Sequence, residues 1–203
     1  IETIINQFHN NNITSSSEII IEANRKYHCN NDFFKAIDTE EKAYWLGFII
    51  ADGNISERKD RVNNYRLTIK LAKKDETHLI KFINDINSNA EITYNVSTIR
   101  GKINKFAQVR LNNTKLCKDL IELGITPAKS CKEKIPTNIP KHLIKHLIRG
   151  IFDGDGCFSY NKDNLQCALH FCGSKEVMKF CSNFINEELN ISLRNIYEKE
   201  TSK

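Results

Sequence analysis

Proline is almost missing from this chain, at three in 203 residues, and methionine occurs once, at Met178. With abundant Asn, Lys and Ile, this usage points to an AT-rich gene and carries no mechanism. No apolar run reaches transmembrane length, which excludes a membrane-spanning helix. No secretory signal is present, so a cytoplasmic or organellar setting is expected. None of the seven cysteines forms Cys-x-x-Cys, and an odd, scattered set argues for reduced thiols over a disulfide framework. Charge of one sign is not extreme: the net charge is +5 and the pI about 8.8, compatible with a polyanionic partner without requiring one. The chain also lacks an initiator methionine.

A short motif occurs twice. One copy is Trp45-Leu46-Gly47-Phe48-Ile49-Ile50-Ala51-Asp52-Gly53, the other Ile148-Arg149-Gly150-Ile151-Phe152-Asp153-Gly154-Asp155-Gly156. Around each, the same order of elements is expected. Asp38-Thr39-Glu40-Glu41 reads as a capping box with Asp38 as the cap. The helix it opens runs to Asp52, and Gly53 is expected to end it with positive φ. Alternation over 65–72, 92–99 and 106–112 predicts antiparallel strands with one wet face. On that reading Leu67, Ile69, Leu71, Ile92, Tyr94, Val96, Ala107, Val109 and Leu111 point inward. Helices from Asp75 and around Leu116–Leu123 interleave. From Pro140 the order restarts: a helix, strands over 157–160 and 165–172, a helix from Ser174, and a third strand from Ile191 to Tyr197. The repeat length is about 100 residues, and the second copy lacks its last strand and helix. With the missing methionine, this predicts a C-terminally truncated fragment.

Gly47 and Ala51 are four apart, as are Gly150 and Gly154, so each pair shares a helix face and admits a close backbone. Packed together, the helices bring Asp52 and Asp155 to one end. Two adjacent carboxylates resist joint ionisation, and a hard divalent cation relieves this. Mg²⁺ binds through one or two carboxylates plus substrate phosphates, which suits phosphodiester hydrolysis. A lone Asp-Gly is a common turn signal; its repetition in one context favours a site.

These residues resemble the LAGLIDADG (DOD-type) homing endonucleases, in the single-chain form with both motifs, over about residues 30–203. The resemblance implies an α+β fold of two pseudo-symmetric αββαββα half-domains. The motif helices form their interface, and antiparallel sheets make a saddle on DNA. Expected segments are an N-terminal helical remnant or linker over 1–37, a first half-domain over 38–136 and an incomplete second over 137–203. The implied activity is site-specific cleavage of double-stranded DNA as a monomeric internal pseudo-dimer, with no small-molecule cofactor. Asp52 and Asp155 are the implied ligands of Mg²⁺ or Mn²⁺. A basic residue is implied near the metal, Lys129 first and Lys134 second. The rival class is an inactive relative acting as an RNA maturase or DNA-binding regulator; retention of both acids favours the enzyme. No Cys or Ser opens the chain and no His-Asn closes it, as an intein would require.

The wet strand faces offer Arg66, Lys70, Gln108, Arg110, Gln166 and His170 for base or phosphate contacts. Asp153 reads as a cap or surface residue. His142 and His146 have a spacing that zinc can use, but the intervening Glu of a metalloprotease is missing, so a polar helix face is expected. Cys167 and Cys172 read as strand core and edge.

Overall fold

A computed structural model describes residues 26–57, 64–99, 101–127, 134–191 and 196–197. The elements run α1 (Glu40–Asp52), β1 (Gly53–Glu57), β2 (Tyr65–Ala72), a 3-10 turn (Lys73–Asp75), α2 (Glu76–Asp85), β3 (Thr93–Ile99), β4 (Lys102–Leu111) and α3 (Thr114–Glu122). There follow α4 (Lys141–Asp155), β5 (Cys157–Asn161), β6 (Gln166–His170) and α5 (Lys175–Leu189). The helix–strand–strand order thus occurs twice in an α+β fold with antiparallel sheets. Among the described residues no helix is long and apolar enough to cross a membrane. The chain divides into two compact units, one formed by Ile1–Ala36 with Ser56–Asp119, the other by Ile37–Ile55 with Leu120–Lys203.

The four-stranded sheet has the order β1-β2-β4-β3, and β2, β4 and β3 belong to the first unit. Leu67, Ile69, Ala107, Val109 and Leu111 are buried on one sheet face, and Leu79, Phe82 and Ile83 are the buried stripe of α2. Apolar residues recurring at three and four positions give that helix its one dry side. Asn113 opens α3: its side-chain oxygen accepts from the Leu116 amide at 3.1 Å, while its amide nitrogen donates to Asn31 and Cys29. Both ends of a buried polar group are therefore satisfied. Residues 26–37 form turns without a helix and bury Cys29, Phe33, Phe34 and Ile37. The helical stretch read at residues 4–8 lies outside the described residues.

Several sequence expectations change. Thr39, not Asp38, caps α1, accepting from the Lys42 amide at 3.3 Å. Asp38 pairs instead with the Lys42 ammonium at 2.7 Å, one helical turn on. Tyr94 and Val96, read as inward, are 58% and 65% exposed. β3 is an edge strand of the sheet; Val96 pairs with exposed Lys105, and Tyr94, though opposite buried Ala107, has a strand neighbour on one side only. Alternation marks a sheet's two faces and cannot tell which strand lies at its edge.

The second unit holds α1 and α4, together with the β5–β6 hairpin and α5. Both strands of the hairpin are exposed along their whole length. Cys167 and Cys172 are exposed rather than in a strand core. Most of the strand read over 191–197 lies outside the described residues.

Candidate active site

The two motif helices lie side by side and parallel. Their contact is set by residues without side chains. A Cβ added at Gly47 would strike the Leu147 carbonyl, and one at Gly150 would strike the Tyr44 carbonyl. A Cβ on Gly154 would strike the Ala51 methyl. Leu147 and Ile151 of α4 are buried along this seam, as are Tyr44 and Phe48 of α1. The spacing of four puts the small residues on one stripe of each helix, and the backbones fill the space.

Each helix then stops at a glycine, at Gly53 by a different device from the one expected. Gly53 has φ −74 and Gly156 φ −85, both extended, so positive φ is not what selects glycine. The selection is steric. At Gly53 a Cβ would sit 2.5 Å from the Ile49 Cγ2 and 2.7 Å from its carbonyl oxygen. At Gly156 it would strike the Phe152 carbonyl. In both copies the glycine amide donates to the carbonyl four residues back.

This placement carries the two acids. A Cβ at Gly154 would lie 3.6 Å from the Asp52 Oδ2, so the Asp52 carboxylate rests alongside the backbone that leads into Asp155. Asp52 is partly buried and Asp155 exposed. A pocket of about 180 Å³ opens here, lined by Ile50, Ala51, Ile151, Asp155, Cys172 and Val177 among others. Among the described residues no group of three His, Cys, Asp or Glu could hold a metal ion. The Asp52 and Asp155 carboxylates are hard oxygen donors, the type that Mg²⁺ or Mn²⁺ takes together with water and phosphate.

Other residues are redistributed. Asp153 is an exposed surface residue of α4 rather than a cap, and accepts from the Tyr44 hydroxyl at 2.8 Å. Arg149 stands 4.8 Å over the Tyr44 ring. Burial first, then the bond to Asp153, pushes the Tyr44 phenol well above its ordinary pKa, so it remains a donor. His146 is buried, not part of a polar face, with Nε2 3.3 Å from the Glu40 carboxylate; His142 is exposed. Lys129 lies outside the described residues. Lys134 is exposed, and its backbone amide donates to Gly124, whose φ of +98 suits glycine.

On the sheet, Gln108 is 4% exposed, against the expectation of a wet face. It sits in the central strand between Lys70 and Thr93, hemmed in from both sides. Arg110 stays exposed, because β3 begins only at Thr93 and leaves it one neighbour. The Arg66 Nε donates to Asn112 at 2.7 Å, and the Lys70 ammonium lies 3.9 Å from the Phe106 ring centre. Gln166 and His170 are exposed on the hairpin, His170 against the Ser159 hydroxyl at 3.2 Å. Sequence reasoning missed Tyr44, Asn112 and Phe106. Phe106 was detectable only as an aromatic on the polar side of its strand.

No family model and no curated protein matches the chain. Solved structures do. The homing endonuclease I-WcaI, solved bound to its DNA recognition sequence, superposes with a TM-score of 0.58 at 15% identity, covering 92% of this chain and 80% of that one. The fold is that of the LAGLIDADG homing endonucleases. Two LAGLIDADG meganucleases, each solved on uncleaved DNA, match less closely. I-CpaMI gives 16% identity and a TM-score of 0.47 over 78% of this chain and 76% of that one. I-AabMI gives 19% and 0.46 over 77% and 74%. In this fold the twin sequence motif occupies α1 and α4, which end at Asp52 and Asp155.

Proposed function

We propose that the chain is a site-specific endonuclease hydrolysing double-stranded DNA with Mg²⁺ or Mn²⁺. The observation that carries this reading is the parallel helix pair, whose small residues bring the Asp52 carboxylate against Gly154 and so beside Asp155. Asp52 and Asp155 would hold the metal. Bound there, it would supply Lewis-acid polarisation of the scissile phosphate and an activated water.

The chain's own residues do the rest. Arg66 is held by Asn112 through Nε, which leaves its terminal nitrogens for a base edge or phosphate. Lys70 is steadied on the Phe106 face and, as a point charge, suits phosphate. Arg110 extends the same face, and Gln166 and His170 are the corresponding groups on the hairpin. Buried Gln108 supports the sheet and does not read bases. Lys129, with Lys134 second, is the basic helper in this reading. The neighbour I-WcaI was solved on its recognition sequence, which supports DNA as the partner here.

The test is selection of cleaved products from a randomised duplex library with Mg²⁺. Linear product is expected from the parent chain and not from Asp52→Asn or Asp155→Asn. Tight RNA binding with no cleavage of any duplex would defeat the proposal and favour a maturase.

A further inference from the structure

Small residues four apart on both helices create an ambiguity. Gly150 sits in the groove by Tyr44 and Phe48, and Gly154 in the groove by Ala51 and Asp52, one turn further on. Sliding α4 by one turn, about 5.4 Å, would place Gly154 where Gly150 now packs. Apolar and small-residue packing alone separates these registers weakly. The acids depend on the choice, since a slide of one turn would draw Asp155 away from Asp52.

Polar contacts between the helices break the ambiguity: the His146 Nε2 lies 3.3 Å from the Glu40 carboxylate, and Tyr44 reaches Asp153 one turn further along α1. Tyr44 is 4% exposed and lies on α1 two turns before Asp52. Its hydroxyl donates to Asp153 Oδ2 at 2.8 Å, and Arg149 covers its ring. A one-turn slide would carry Asp153 out of hydrogen-bond reach and break this part-buried bond to a charged acceptor, which costs free energy. Polar contacts in a largely apolar helix seam are a known way to specify register. We propose that Tyr44 and Asp153 form a register latch that positions Asp52 and Asp155 for one divalent cation. Neither touches the metal; both are positioning residues. The inference rests on the endonuclease reading of the two acids.

Mn²⁺ binding to the purified chain, followed by electron paramagnetic resonance, tests the latch without relying on cleavage. Tyr44→Phe and Asp153→Ala are expected to weaken Mn²⁺ binding by about tenfold, the scale seen when groups supporting metal ligands are removed. The double variant should be no weaker than either single one, because both remove the same contact. Asp153→Asn keeps an acceptor oxygen and should bind like the parent. Circular dichroism below the unfolding transition checks that each variant is folded. An unchanged Mn²⁺ affinity in folded Tyr44→Phe, with binding abolished by Asp52→Asn, overturns the latch and leaves the proposed function standing. Mn²⁺ affinity that also survives Asp52→Asn removes the metal site, and both ideas fall together.

Discussion

At the residue scale, glycine does most of the placing. Gly150 faces a backbone carbonyl of α1, which cannot rotate away as a side chain would. Gly150→Ala is therefore expected to destabilise the fold by about 3 kcal/mol, the upper end for overpacking, measured by urea unfolding. A change within about 0.5 kcal/mol, as for an exposed site, would show that the helices are not this close. Cysteines form a second group. Burial pushes the Cys117 and Cys181 thiols up to about 12, whereas Cys157, Cys167 and Cys172 are exposed. Ellman's reagent at pH 8 should label those three quickly. Cys117 and Cys181 should react only on unfolding; fast labelling of either in the native protein contradicts the packing described.

At the element scale, the sheet face and the helix pair have separate duties, and mutations should divide accordingly. Arg66→Ala and Lys70→Ala remove charge from β2 without touching the acids. Each is expected to weaken duplex binding and to lower the salt slope of log K by roughly one unit per lost phosphate contact. Loss of sequence preference is expected chiefly from Arg66→Ala, since a guanidinium pairs with guanine. Phe106→Ala should mimic a mild Lys70 loss, because it removes the ring that steadies the ammonium. Binding curves at two salt concentrations decide this; unchanged slopes in all three would place DNA elsewhere. Most elements were legible from periodicity, whereas β1 and the capping residue of α1 were not. Strand order, the edge position of β3 and the burial of Gln108 were not legible either, because alternation carries no information about which strand becomes central.

At the scale of the whole molecule, the buried thiols give a pH dependence with a definite sign. An unfolded cysteine ionises near 9, while Cys117 and Cys181 stay protonated in the folded chain to about 12. Below pH 9 both states hold the proton and these groups leave stability unchanged. Between 9 and 12 the unfolded chain releases protons that the folded one keeps, so stability falls as pH rises. Cys117→Ala should flatten that decline when thermal unfolding is followed from pH 8 to 11. An equally steep fall in the variant would assign it to other groups.

By itself, the sequence determined the twin motif, the small-residue stripes, the pair of acids and the repeated order of helix and strands. These follow from local spacing, which any chain with this pattern must present. Only the tertiary structure decided how the motifs meet. It set α1 and α4 parallel at backbone contact and gave Gly53 and Gly156 a steric role in place of a conformational one. It also joined Tyr44 to Asp153, residues 109 positions apart. A contact across that separation depends on the register of two packed helices, and no spacing within either motif encodes it.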